Sequence, residues 1–127
     1  MKHLAIIGAI ALAGCVQDPQ VDGRQTFADN CAACHGADGR GDGELARQMS
    51  KTPPDLTVLS AKNGGVFPRD YVMSTIDGYR RPGSFAPDMP MFGEADMGET
   101  VMIDSTPVPA RLYALALYIE SIQRPAE

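Results

Sequence analysis

The most constraining feature of the sequence is the pentapeptide Cys31-Ala32-Ala33-Cys34-His35. On a helical turn, residues three apart share a face, so both thiols point to one side. The imidazole follows directly behind the second thiol. Ala at both intervening positions keeps the turn narrow, and a flat group can lie close against it. Three other uses of these residues fit less well. A structural zinc site takes four ligands, and the neighbourhood offers two Cys and one His. A redox dithiol of the thioredoxin kind sits in a βαβ pattern, which the surrounding sequence lacks. A disulfide between Cys31 and Cys34 would leave His35 unexplained. The spacing is that of covalent haem attachment, with two thioethers to the porphyrin and the imidazole on iron.

The start of the chain bears on where such a group would be used. Lys2 and His3 precede Leu4 to Ala13, a run without a polar residue. At about ten residues the run is too short to span a bilayer but suits the core of a signal peptide. It ends Leu12-Ala13-Gly14-Cys15, which resembles the bacterial lipobox, where the thiol is lipidated and the chain is cut before the Cys. The expected organisation is a lipoprotein signal peptide over 1–14, a lipidated tether over 15–21 and one folded domain over 22–127. That domain is expected on the periplasmic side of a bacterial membrane, anchored through Cys15. Loss of residues 1–14 also removes His3, leaving His35 as the sole histidine and Cys31 and Cys34 as the uncommitted thiols.

A chain of 127 residues makes one small domain with a modest apolar core, to which a large buried cofactor would matter greatly. The net charge of −5 and the lack of a basic stripe argue against nucleic-acid binding. They favour partners with basic docking patches and salt-sensitive association. Asp22 can cap a helix over 23–33, with Gln25 in a capping-box arrangement. A Gly-rich loop follows over 36–43. A short helix over 44–50 pairs Leu45 with Met49 and ends at Pro53-Pro54. Asp55 can cap a further turn, closed by Asn63-Gly64-Gly65. Pro68 opens a helix over 68–77, in which Val72 and Ile76 share a face and Gly78 is the stop. The last helix, over 109–123, carries the apolar stripe Leu112, Leu115, Tyr118, Ile119 and Ile122. No stretch alternates convincingly as a strand. The expected fold is all-α, with four to five short helices around one haem.

A low-spin electron carrier needs a second axial ligand. With no other His available, the candidates are methionines, whose thioether favours Fe(II). Met49 and Met73 sit in helix-like stretches and read as core fillers. Met97 and Met102 lie in an acidic loop. Met89-Pro90-Met91-Phe92 follows a Pro-rich segment that cannot be regular helix, and Pro90 pushes Met89 into extended geometry. Met89 is the leading candidate and Met91 its rival. Arg80, with Tyr79 and Arg81, lies just upstream and is a candidate partner for the haem propionates, with plain solvation as the alternative.

The chain resembles the monohaem class I cytochromes c. The resemblance rests on Gly23 and Phe27 ahead of the first Cys, Cys31-Ala32-Ala33-Cys34-His35-Gly36, Pro53-Pro54-Asp55-Leu56-Thr57, Asp88-Met89-Pro90-Met91-Phe92-Gly93 and Leu117-Tyr118-Ile119-Glu120-Ser121-Ile122. It covers about residues 22–123. The resemblance implies one covalent haem c and iron between His35 and Met89. It implies a carbonyl of Pro53 or Pro54, with Pro54 preferred, holding the other imidazole nitrogen. Gly23 would let the first and last helices cross closely, near Phe27 and Tyr118. The implied function is outer-sphere electron transfer, without enzymatic activity, between redox proteins such as an oxidase, reductase or dehydrogenase, by a monomer or a complex subunit. The rival functions are a haem ligand sensor or peroxidase-like site with a labile sixth ligand, and a fixed subunit of a redox complex. One departure is the long acidic join from Glu94 to Pro109, which reads as a solvated flap before a docking surface.

Overall fold

The structure, a computed structural model, describes residues 22–79 and 87–125. Helix α1 (Gly23–Asn30) starts where expected, because the Asp22 carboxylate accepts from the backbone N–H groups of Arg24 (2.8 Å) and Gln25 (3.2 Å). Only half of the expected capping box forms. The Gln25 amide turns forward to donate to Asp29 at 2.8 Å, an i,i+4 pair on the exposed face. The helix also stops earlier than the sequence suggests. Cys31 leaves helical geometry (φ −121°, ψ −34°) and a separate short turn, α2 (Ala32–His35), follows.

Two more helices lead away from the motif. α3 (Leu59–Lys62) continues a 3₁₀ turn over Leu56–Val58, which Asp55 caps through the Thr57 N–H at 2.8 Å. α4 (Arg69–Asp77) is capped at its C-terminus by Gly78 in the left-handed region (φ 100°). That position suits glycine, whose lack of a Cβ removes the penalty. The expected helix over 44–50 shrinks to a 3₁₀ turn over Ala46–Gln48, with Leu45 largely exposed.

The acidic join holds the main surprise. β1 (Thr100–Ile103) and β2 (Thr106–Pro109) form an antiparallel hairpin in which Val101 faces Val108 and Ile103 faces Thr106. Its two turn residues, Asp104 (φ 46°) and Ser105 (φ 68°), both have positive φ. That backbone matches the twist of the flanking strands. The join is therefore not a simple solvated flap. Val108 is buried in the core, the Ala110 N–H donates to the Glu99 carbonyl at 2.7 Å, and the Arg111 N–H donates to the Met97 carbonyl at 3.0 Å.

The final helix, α5 (Ala110–Ser121), crosses α1 and α4. Leu112, Leu115 and Ile119 are buried as its stripe predicts, and Ala116 with them. On α4, Val72 and Ile76 complete the cluster around Phe27. Phe27 packs on Tyr118, ring centres 5.3 Å apart and tilted 52°, an arrangement aromatic pairs favour. Arg69 on α4 pairs with Glu120 on α5 and lies 5.9 Å over the Tyr113 ring. Gln123 ties the end of α5 to the 56–60 segment. It donates to the Leu56 carbonyl (2.6 Å) and accepts from the Ser60 N–H (2.8 Å). The described residues are mainly helical, with one small hairpin beside the expected short helices. No helix among them is long and apolar enough to cross a membrane.

Candidate functional site

The break at Cys31 turns α2 so that Cys34 and His35 face a pocket while Ala32 packs against the core. The α2 turn is held by the His35 N–H to the Cys31 carbonyl (2.9 Å) and the Gly36 N–H to the Ala32 carbonyl (2.8 Å). The Gly-rich loop then folds back and satisfies the remaining carbonyls. Gly41 donates to His35 (2.7 Å), Gly43 to Cys34 (3.2 Å) and Leu45 to Ala33 (2.9 Å). Gly41 is at φ 81°, and a Cβ there would lie 2.2 Å from the Pro53 carbonyl oxygen. Only glycine lets the loop run this close to the Pro53-Pro54 backbone. The Leu56 N–H to the Gly39 carbonyl, at 2.7 Å, closes the same junction. These contacts bring Pro54 to His35.

Cys31, Cys34 and His35 line one pocket with Met49, Pro53, Pro54, Met89 and Phe92, a mostly apolar set. Both cysteines are free, half-buried thiols. Burial, and then the neighbouring Cys34, push the Cys31 thiol up to about 11, so it stays protonated at neutral pH. Burial also lowers the pKa of His35, against the opposing pull of the Pro54 carbonyl. The ring is thereby favoured in its neutral form, the form that ligates metals. Its Nδ1 is buried yet makes no hydrogen bond of ordinary geometry. The Pro54 carbonyl is therefore near enough to influence the ring but not tightly bonded to it. An imidazole favoured in its neutral form, two thiols and an apolar pocket together fit a porphyrin with one iron. The described residues contain no group of three or more His, Cys, Asp and Glu set to hold a metal ion by themselves.

The two methionine candidates separate clearly. Met89 is half-buried, lines the pocket and packs against the hydrophobic core. Met91 is 52% exposed, and its side chain lies over Gly78. Met73 packs on the core as the sequence suggests. Met49 does not, and lines the pocket instead. Met97 packs at the core edge, and Met102 is exposed on the hairpin. Two residues to which the sequence assigns no role also matter here. Phe92 forms part of the pocket lining, and Ser50 binds Asp88. An aromatic next to the methionine loop was a visible signal for Phe92, whereas a surface serine gives none. Cys15, Arg80 and Arg81 lie outside the described residues.

Fold and pocket together define a small monohaem cytochrome. The family model described as Cytochrome c matches residues 20–103, and the chain belongs to that family. It is a haem-binding electron carrier with one covalently attached haem c. No curated protein and no solved structure matches the chain. The family match ends inside the hairpin, yet α5 packs across α1.

Proposed function

We propose that the protein is an outer-sphere one-electron carrier whose iron sits between His35 and Met89. When bound, the haem supplies a centre that alternates between Fe(II) and Fe(III). Cys31 and Cys34 would anchor it as thioethers. The Pro54 carbonyl would orient His35 through the nitrogen that faces away from iron, as partners of ligating histidines do. Met89 would close the sixth position with a soft sulfur that raises the potential. No bond in a substrate is made or broken, so these residues bind, orient and exclude water. Arg80 is proposed as a propionate partner on the sequence alone.

The observation that carries the reading is that Met89 and His35 line the same apolar pocket as both cysteines, while Met91 lies elsewhere. The proposal also places the domain on the periplasmic side of a bacterial membrane, held by a lipid on Cys15. This rests on the lipobox-like segment. Such a tether would confine the carrier near membrane redox proteins and raise its effective concentration there. The acidic chain would exchange electrons with partners bearing basic docking faces.

The test is an optical spectrum of the haem-loaded protein, oxidised and reduced, with and without carbon monoxide. Expected are sharp low-spin bands, a weak near-infrared sulfur-to-iron band that Met89→Ala abolishes, and no response to carbon monoxide. A high-spin spectrum, or ready carbon monoxide binding by the wild type, would overturn the carrier reading in favour of a ligand sensor or peroxidase-like site. Mass spectrometry of the membrane fraction, wild type against Cys15→Ala, tests the lipid.

A further inference from the structure

Asp88 directly precedes Met89, and its carboxylate is bound by a segment far away in sequence. Its Oδ2 accepts from the Ser50 backbone N–H at 2.7 Å and from the Ser50 hydroxyl. The Lys51 N–H is a third donor, and these bonds hold the Asp88 carboxyl below its usual range. Both segments belong to the pocket. Met49, Thr52 and Pro53 line it beside Ser50, and Pro87, Met89 and Pro90 line it around Asp88. Proline fixes φ at 87 and 90 and restricts the residue before it. An anchor at Asp88 therefore limits where the Met89 backbone can go.

We infer that the Asp88–Ser50 contact is a clasp that sets how readily Met89 leaves the iron, making both residues positioning residues for the sixth ligand. This rests on the assignment of Met89 as that ligand and deepens it. Asp88 and Ser50 are both exposed, so water competes for every bond of the clasp. Its effect is then a several-fold change in ligand release and not loss of the ligand. A bond that merely stabilised the surface would lower Tm and leave ligand release unchanged.

The experiment uses the haem-loaded full chain in the ferric state, mixed rapidly with imidazole as an external ligand. At high imidazole the rate reaches a limit set by departure of the protein's own sulfur. That limit is expected to rise roughly threefold to tenfold in Asp88→Ala and Ser50→Ala. It should return to the wild-type value in Ser50→Thr, which keeps the hydroxyl. The near-infrared band should persist in all three. Wild-type limits in Asp88→Ala and Ser50→Ala would overturn the clasp, even with a lowered Tm. A Ser50→Thr protein as fast as Ser50→Ala would do the same. If Met89→Ala loses the band while the clasp variants behave as wild type, the clasp alone fails. If Met89→Ala keeps the band, the ligand assignment fails and the clasp falls with it.

Discussion

Gly23 and the Ala114 carbonyl meet at the crossing of α1 and α5, so closely that a Cβ on Gly23 would lie 2.1 Å from the oxygen. The obstacle is backbone, which a rotamer change cannot relieve. Gly23→Ala is therefore expected to force the helices apart and destabilise the haem-loaded protein by about 2–3 kcal/mol. Thermal unfolding followed in the visible bands measures this, and an unchanged Tm would show that the helices have room to separate.

Phe27 is 1% exposed and sits between the two helices against Tyr118. Truncation leaves a cavity within the core cluster and beside Tyr118. Phe27→Ala is expected to cost about 3–5 kcal/mol, read by denaturant unfolding. Phe27→Leu should recover much of this by filling most of the volume.

Asp55 accepts from the Thr57 N–H and hydroxyl and pairs with Arg124 at 2.9 Å. Chiefly the Thr57 hydroxyl, with help from the Thr57 N–H and Arg124, holds its carboxyl below the ordinary value of 3.8. A carboxyl that is more acidic when folded stabilises the fold above its unfolded value. That contribution erodes as pH falls from there through the lower folded value. The pair is partly solvated, so the effect is modest. Asp55→Asn is expected to cost about 0.5–1 kcal/mol at neutral pH. The gap to wild type should close as both are acidified. A gap that stayed constant down to full protonation would mean that the charge is not what matters.

Ser105 holds φ 68° in the hairpin turn. Left-handed backbone strains any side chain, whereas glycine adopts it freely. Ser105→Gly is expected to raise stability by about 0.5–1 kcal/mol after the extra freedom of the unfolded chain is counted. A lower Tm would mean that the turn depends on the serine side chain.

Much of the site was legible because its chemistry is local in sequence. Cys31, Cys34 and His35 lie within five residues, and prolines next to Met89 mark a stiff loop. The helix starts at Asp22 and Asp55 and the stop at Gly78 were equally readable, since each depends on one side chain or one missing Cβ. The break at Cys31 was not, because helical periodicity runs on through Ala32 and Ala33. Only the pocket and the returning Gly-rich loop make separation into two turns favourable. The hairpin was hidden for another reason. Pro107 and Pro109 count against a strand, and Asp104-Ser105 is not the usual Asn-Gly turn. Val108 in the core supplies what the local pattern lacks. The Asp88–Ser50 contact joins two unremarkable surface residues, and nothing short of the folded chain brings them together.

The α1–α5 crossing also sets an order of events. A chain made from its N-terminus presents Cys31, Cys34 and His35 early, while residues 110–121 are still to come. Until α5 arrives, Gly23 has no helix to cross and Phe27 lacks its packing on Tyr118, and the loop that must be closed is nearly the whole domain. The thiols are thus offered on an open polypeptide, where a rigid ring can be fitted from the side. The last helix then completes the core.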